Sequence, residues 1–380
     1  MNNPPPAPAL SVPFEIFLVA VPGLERALCD EARAAGFADA VVGEGGVVIH
    51  GGWLEVWRAN LELRGATRVL ARIGSFRAMH LAQLDKRARK VAWASVLKRD
   101  VAVKVEASCK RSRIYHAGAA AQRVATAIRE ELGAPVADDA PVRVMVRIED
   151  DLVTVSIDTT GEPLHKRGFK QALNRAPMRE SMAALFLKQC GYDGREPVLD
   201  PMCGSGTFVI EAAEIAAGLK PGRERPFAFE ELVGFDAEKW RAMKSEGGGK
   251  ATGLIFFGSD RDAGAIRMSR ENAQRAGVAE LTRFEQVPVE LLAAPEGPPG
   301  LVIVNPPYGT RIGNKAPLRA LYRNLGTALR GKFAGWRVGL VTTDKDLAQA
   351  TGLPFLPPAP PVLHGGLRVT LYQTGPLGKR

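Results

Sequence analysis

The chain has 380 residues, 46% of them hydrophobic and 24% charged, with a formal net charge of +10 and a pI near 9.6. That length exceeds one ordinary hydrophobic core, so two or three domains are expected, and the composition is that of a soluble globular protein. The positive surplus favours a polyanionic partner, most commonly nucleic acid, and no apolar run is long enough to cross a bilayer.

Cys29, Cys109, Cys190 and Cys203 lie far apart and form no CxxC pair. Neither a metal site nor a disulfide framework is expected, which suits a reducing, cytoplasmic location. Residues 1–13 are Pro-rich and read as a loose tail rather than a signal peptide.

The N-terminal half interleaves short strands and helices, the mark of a small α+β module. Glu15 to Ala20 reads as a strand, Leu24 to Ala35 as a helix, and the runs at Val41 and Val47 as a glycine-flanked hairpin. Trp53 to Leu63 reads as a helix and Arg68 to Ile73 as a strand. Lys86, Arg87, Arg89 and Lys90 are expected to open a helix carrying Val91 and Trp93. A strand at Val101 to Val105 precedes the basic stretch Lys110, Arg111, Arg113, Tyr115 and His116. This mixture of cations, hydroxyls and an aromatic ring suits contacts along RNA, although a solvated charged face has the same composition. A helix from Ala119 to Leu132 and a hairpin from Val142 to Ile157 follow. Residues 161–176 read as a linker with a further basic patch, including His165, Lys166, Arg167 and Lys170.

From Pro177 the pattern becomes strand, loop, helix, repeated, which predicts a mostly parallel, doubly wound α/β sheet. A helix runs from Pro177 to Cys190. The strand Pro197 to Asp200 enters the loop Pro201-Met202-Cys203-Gly204-Ser205-Gly206, and Thr207 to Ala217 is helical. Residues 220–253 form an irregular insertion around Trp240. Strands follow at Leu254 and Phe284. Leu301 to Val304, four apolar residues, reads as a strand buried on both faces. It is stopped by the prolines of Asn305-Pro306-Pro307-Tyr308-Gly309.

A glycine turn into a helix can hold phosphate, but this one lacks the GxxxxGK[ST] lysine. Between Asp200 and Leu219 there is no basic residue, while Asp200, Glu211 and Glu214 are acidic. A ligand with a positive centre fits better, and S-adenosylmethionine is such a ligand. Asp260, just past the next strand, is placed to accept hydrogen bonds from ribose hydroxyls or to cap the following helix. Asn305 and the carbonyl of Pro306 are suited to accept both N–H bonds of an exocyclic amine, and Tyr308 to stack on an extruded base. This chemistry needs no metal.

These residues resemble the class I S-adenosylmethionine-dependent RNA methyltransferases that carry a THUMP domain, in the RlmL-like branch of 23S rRNA guanine-N2 methyltransferases. The resemblance extends to Pro22-Gly23-Leu24-Glu25, the Arg64–Arg77 segment, Ser108 to His116, Ala176 to Glu180, and the insertion with Phe227 and Trp240. It implies a ferredoxin-like segment over 14–74, a THUMP domain over 75–160, and a Rossmann-like methyltransferase domain over 177–380. It implies that Asp200, Pro201, Cys203, Gly204, Gly206, Thr207, Asp260, Arg261 and Asn305 hold the cofactor. Asn305, Pro306, Pro307 and Tyr308 would receive a guanine of 23S rRNA. Lys110, Arg111, Arg113, Tyr115, His116, Lys166 and Arg167 would bind RNA. Where the family often carries an acidic residue for the cofactor's adenine, this chain has Pro288, with Gln286 or Glu290 as substitutes. Adenine-N6 methylation, or an RNA-binding assembly protein with a vestigial site, are the alternatives.

Overall fold

The computed structural model describes residues 13–169, 178–308 and 315–378. The tail 1–12, Lys170, Ala176, Pro177 and Gly309 lie outside the described residues. Two compact units are present: Met1–Ala20 with Ala32–Leu164 and Arg225–Glu246, and Val21–Glu31 with His165–Glu224 and Gly247–Arg380. The block expected at 177–380 is therefore interrupted, because 225–246 packs with the N-terminal residues.

In chain order the N-terminal half begins with β1 (Phe14–Val19), then α1 (Glu25–Ala34), of which Glu25–Glu31 is grouped with the second unit, then β2 (Val41–Gly43), β3 (Gly46–Gly51), α2 (Trp53–Glu62) and β4 (Arg68–Arg77) of the first. Next come α3 (Leu81–Ala88), β5 (Val103–Lys110), α4 (Ala117–Leu132), β6 (Val142–Glu149) and β7 (Leu152–Asp158). The strands form one sheet in the order β2-β3-β1-β4-β7-β6-β5. The boundary expected at residue 74 falls inside β4, which pairs with β1 through Arg68–Ala71 and with β7 through Leu70–Arg77. Ferredoxin-like and THUMP parts thus share one hydrogen-bonded sheet. The basic run at 86–90 closes α3 instead of opening a helix, since α3 is capped earlier by His80, whose Nδ1 accepts from the Gln83 amide. In the insertion, Phe227, Phe229 and Trp240 pack with Trp57 of α2, with stacked and edge-on ring centroids 5.0–6.4 Å apart. This aromatic cluster explains why 225–246 belongs with the N-terminal unit.

The second unit continues with α5 (Glu180–Gln189), β8 (Val198–Asp200), α6 (Thr207–Ala216), β9 (Phe256–Asp260), α8 (Ala263–Arg275) and β10 (Thr282–Gln286); α7 (Ala237–Ser245) belongs to the inserted piece. It is completed by β11 (Leu301–Val304), α9 (Lys315–Lys332), β12 (Arg337–Thr342), α10 (Lys345–Ala350), β13 (Val362–His364) and β14 (Leu367–Gln373). The sheet order is β10-β9-β8-β11-β12-β14-β13, with β10 through β12 parallel and β14 antiparallel to β12. This is the doubly wound α/β sheet expected, with α10 and β13 in addition. All four residues of β11 are buried, as a parallel strand covered on both faces requires. No described helix is long and apolar enough to cross a membrane.

One tight contact governs how α9 meets the turn after α10. A Cβ added at Gly326 would stand 1.8 Å from the Thr351 carbonyl oxygen. Backbone cannot yield as a flexible side chain does. Gly326→Ala should therefore destabilise the second unit by about 1–3 kcal/mol in urea unfolding. An unchanged midpoint would show that the two segments can part freely.

Candidate active site at the carboxyl edge of the sheet

β8, β9 and β11 are neighbours, and their carboxyl ends carry Asp200, Asp260 and, one residue past the strand, Asn305. From β8 the chain winds to β9 and β10 on one side, then crosses to β11 and β12 on the other. Such a topological switch point leaves a crevice at the strand ends.

The loop after β8 is bent by Gly204 (φ +55) and Gly206 (φ +82), both in the left-handed region. A Cβ at Gly206 would meet Ser269 Oγ at 3.1 Å and Ile210 and Phe284 at 3.2 Å, so a glycine is required there for both reasons. The Gly206 amide donates to the Cys203 carbonyl (2.8 Å), and the Cys203 amide to the Ser259 carbonyl (2.9 Å). Asp260 Oδ2 accepts the Gly204 amide (3.1 Å) while Oδ1 accepts the Asp262 amide (3.0 Å). The cap of α8 is Asp262, whose Oδ1 accepts from Gly264 at 2.7 Å. Asp260 is thus released from capping and tied to the glycine loop.

Asp200 is 3% exposed, and its Oδ1 accepts the Met202 amide at 3.0 Å. Burial pushes its carboxyl up to about 8, with the charge of Asp260 adding to the effect. A cation beside it would regain what desolvation costs. Burial raises the Cys203 thiol well above its usual value, which favours the neutral thiol.

Glu211 and Glu214 do not contribute to the acidity of the crevice. Glu211 is paired with Arg167 at 3.2 Å, both side chains 1% exposed, and Glu214 with Arg223 at 2.6 Å. Their charges are cancelled in the interior by cations from outside the Asp200–Leu219 stretch. This also corrects the RNA-binding expectation for Arg167, which is buried in that ion pair.

Asn305 Oδ1 is buried and has no hydrogen-bond partner among the described residues. A lone buried carbonyl is expensive unless a ligand completes it. Burial raises the Tyr308 hydroxyl, and a hydrogen bond with the Asn305 side chain works against it. Tyr322 of α9, fully buried, donates from its hydroxyl toward the Pro307 carbonyl (3.4 Å) and lies 3.1 Å from Thr342 Oγ1. It braces the two prolines from beneath. Sequence reading did not single it out, since the contact spans 15 residues.

Neither Gln286 nor Glu290, the substitutes expected at the adenine position, is unengaged. Gln286 donates to the Arg261 carbonyl (3.0 Å) and Glu290 accepts from Asn324 (2.9 Å).

The expected RNA-binding stretch is largely charge-balanced. Lys110 pairs with Glu44 (2.5 Å) and Glu149 (3.3 Å), Arg111 with Glu149 (2.7 Å) and Asp150 (3.0 Å), and Arg113 with Asp151 (3.9 Å). His116 caps α4, its Nδ1 accepting from Ala119 at 2.9 Å. Tyr115 is 83% exposed, and Lys166 is exposed. Lys86, Arg87 and Lys90 at the end of α3, to which the sequence alone gave no RNA role, are exposed and carry no ion pair among the described residues.

Sheet order, glycine loop and Asn-Pro-Pro-Tyr together define a Rossmann-like methyltransferase. Residues 167–354 match the RMKL-like methyltransferase domain, 15–70 the RlmL ferredoxin-like domain, and 78–158 the THUMP domain. The chain belongs to this family of THUMP-containing, RlmL-like methyltransferases. In an alignment of 364 residues that covers 90% of this chain, it is 35% identical to the ribosomal RNA large subunit methyltransferase K/L of Syntrophotalea carbinolica, of which it covers 51%. The chain spans about half the length of the curated relatives it matches. Among solved structures, a "predicted N6-adenine-specific DNA methylase" from Listeria monocytogenes superposes with a TM-score of 0.87 at 30% identity, covering 96% of this chain and 97% of that one. SMU.472, complexed with SAH, superposes with a TM-score of 0.84 at 28% identity, covering 97% and 99%.

The Asp200 carboxyl supplies a pH test. Its folded value near 8 lies above the ordinary 3.8, so the fold favours the protonated form. That contribution is complete below about pH 4 and is surrendered as pH rises through 8. Asp200→Asn should match the wild-type melting temperature near pH 4 and exceed it by a margin that grows as pH rises to 8 and is kept at pH 9. A variant less stable than wild type at pH 9 would show that the charged carboxylate is already compensated.

Proposed function

We propose that the chain is an S-adenosylmethionine-dependent RNA methyltransferase acting on the N2 amine of a guanine in large-subunit rRNA. The observation that carries this reading is the unpartnered, buried Asn305 oxygen at the switch point of the sheet. The cofactor assignment is supported by the cradle at Gly206, which any side chain would fill, and by the buried carboxyl of Asp200. In this reading Asp200 faces the cofactor's cationic end, Asp260 its ribose, and the loop from Pro201 through Thr207 its methionine part; Arg261 adjoins the ribose. The SAH bound by SMU.472 supports the same assignment. The rRNA assignment is supported by the names of the matching curated relatives and by the THUMP match.

When bound, the cofactor supplies a methyl group on an electron-poor sulfur. The chain's own residues prepare the acceptor. An exocyclic amine is a weak nucleophile because its lone pair is delocalised into the base. Asn305 Oδ1 and the Pro306 carbonyl accept its two N–H bonds, draw the nitrogen toward a tetrahedral shape and release that lone pair. Pro306, Pro307 and Tyr322 hold these acceptors in place, so positioning supplies much of the rate. Tyr308 must leave the Asn305 amide to admit the base, and its ring then stacks on it.

Asn305→Ala should lower turnover by about 10²-fold or more, the scale of losing a preorganised polar contact to the reacting group. Calorimetric SAH affinity should stay within about twofold of wild type, because the residue meets the base and not the loop. Turnover equal to wild type would remove the amine-polarising role. Charge placement predicts where RNA docks. Neutralising Lys86, Arg87 and Lys90 should reduce the salt slope of RNA affinity by roughly one for each phosphate no longer neutralised, and Lys110→Ala with Arg111→Ala should change it less. The reverse order would return docking to the charge-balanced stretch.

A further inference from the structure

α8 carries a polar stripe on its inward face. Ser269, Asn272 and Arg275 are spaced three apart, so they share one side of the helix. Ser269 and Asn272 are both completely buried. Polar side chains are costly there unless each is satisfied, and these are satisfied in one direction. Ser269 Oγ donates to the Gly204 carbonyl (3.0 Å), and Asn272 Nδ2 donates to the Ser205 carbonyl (3.0 Å). Two consecutive carbonyls of the glycine loop are thereby held from behind. The other end of the Asn272 amide is fixed as well, its Oδ1 accepting from Arg275 at 2.6 Å. Arg275 Nε donates in turn to the Phe169 carbonyl (2.9 Å). A continuous polar relay runs from Phe169 through Arg275 and Asn272 to the loop.

We propose that Ser269 and Asn272 are positioning residues for the cofactor: they turn the Gly204 and Ser205 carbonyls inward, so that the opposite edge of the loop faces the crevice. This rests on the reading that the glycine loop holds S-adenosylmethionine. A loop with two left-handed glycines has many conformations open to it, and neither glycine has a side chain to restrict them. The restriction comes from α8. Arg275 selects the amide orientation of Asn272, because its guanidinium can only donate. The nitrogen is thereby left facing Ser205. The register of the loop thus depends on the segment at Phe169, which leads into residues outside those described.

Asn272→Asp separates the two functions of this side chain. It keeps an oxygen for Arg275 and replaces the donor to Ser205 with a second oxygen, which repels the carbonyl. Ser269→Ala removes the other donor with little change in volume. SAH titration calorimetry, thermal unfolding and steady-state kinetics on the full chain provide the test. Each variant should weaken SAH binding by about tenfold, the scale of one ordering hydrogen bond, with the loss falling on KM for the cofactor rather than on kcat. Binding within about twofold of wild type in Ser269→Ala, whatever its melting temperature, would reduce the stripe to a packing feature and overturn the inference. Should Asn272→Asp fail to fold, Ser269→Ala decides alone. Wild-type protein that binds no SAH would instead overturn the cofactor reading beneath it.

Discussion

The candidate site is built around one buried, unpartnered oxygen. β11 is buried along its whole length and ends against two prolines that cannot extend the ladder. The Asn305 side-chain oxygen is shielded from water and has no hydrogen-bond partner among the described residues. Such a group costs about 1–3 kcal/mol. It persists because the surroundings leave it no alternative: the strand fixes its backbone, the prolines fix the turn, and Tyr322 braces the turn from below. In the proposed reading such a preorganised acceptor activates a delocalised amine, since it needs no reorganisation when the base arrives.

The electrostatics of the crevice come from fewer residues than the local composition indicates. Four acidic side chains lie on or near the strand ends and the following helix, but Arg167 and Arg223 neutralise Glu211 and Glu214 in the interior. Asp200 and Asp260 remain, and they have different duties. Asp260 is spent partly on the loop amide at Gly204, while burial pushes the Asp200 carboxyl up to about 8. The same cancellation recurs in the N-terminal unit, where Glu44, Glu149, Asp150 and Asp151 meet the cations of the Lys110–Arg113 stretch. Net charge therefore points to a polyanion, and in the proposed reading the docking face is set by the cations left over.

Much of this was legible in the residues. Apolar runs, glycine stops and the two prolines located β8, β11 and the glycine loop, and the left-handed angles at Gly204 and Gly206 follow the expectation of a tight turn. What escaped was long-range pairing. The merging of ferredoxin-like and THUMP parts into one sheet depends on β4 being ten residues long, and its outer half carries no pattern distinguishing it from a loop. The aromatic cluster that draws 225–246 to the N-terminal unit joins Trp57 to rings far along the chain. Tyr322, Ser269 and Asn272 escaped for the same reason, because their partners lie 15 to 67 residues away. The shift of α3 had a local cause, the cap at His80, which is not among the usual capping residues.

The most direct measurement is the chemical position of the transferred methyl. Large-subunit rRNA lacking its native modifications is incubated with the purified chain and methyl-deuterated S-adenosylmethionine, then digested to nucleosides for mass spectrometry. The account predicts label on the exocyclic N2 of guanosine. Label on a ribose oxygen, a ring nitrogen or a base carbon, or on adenosine alone, would contradict it.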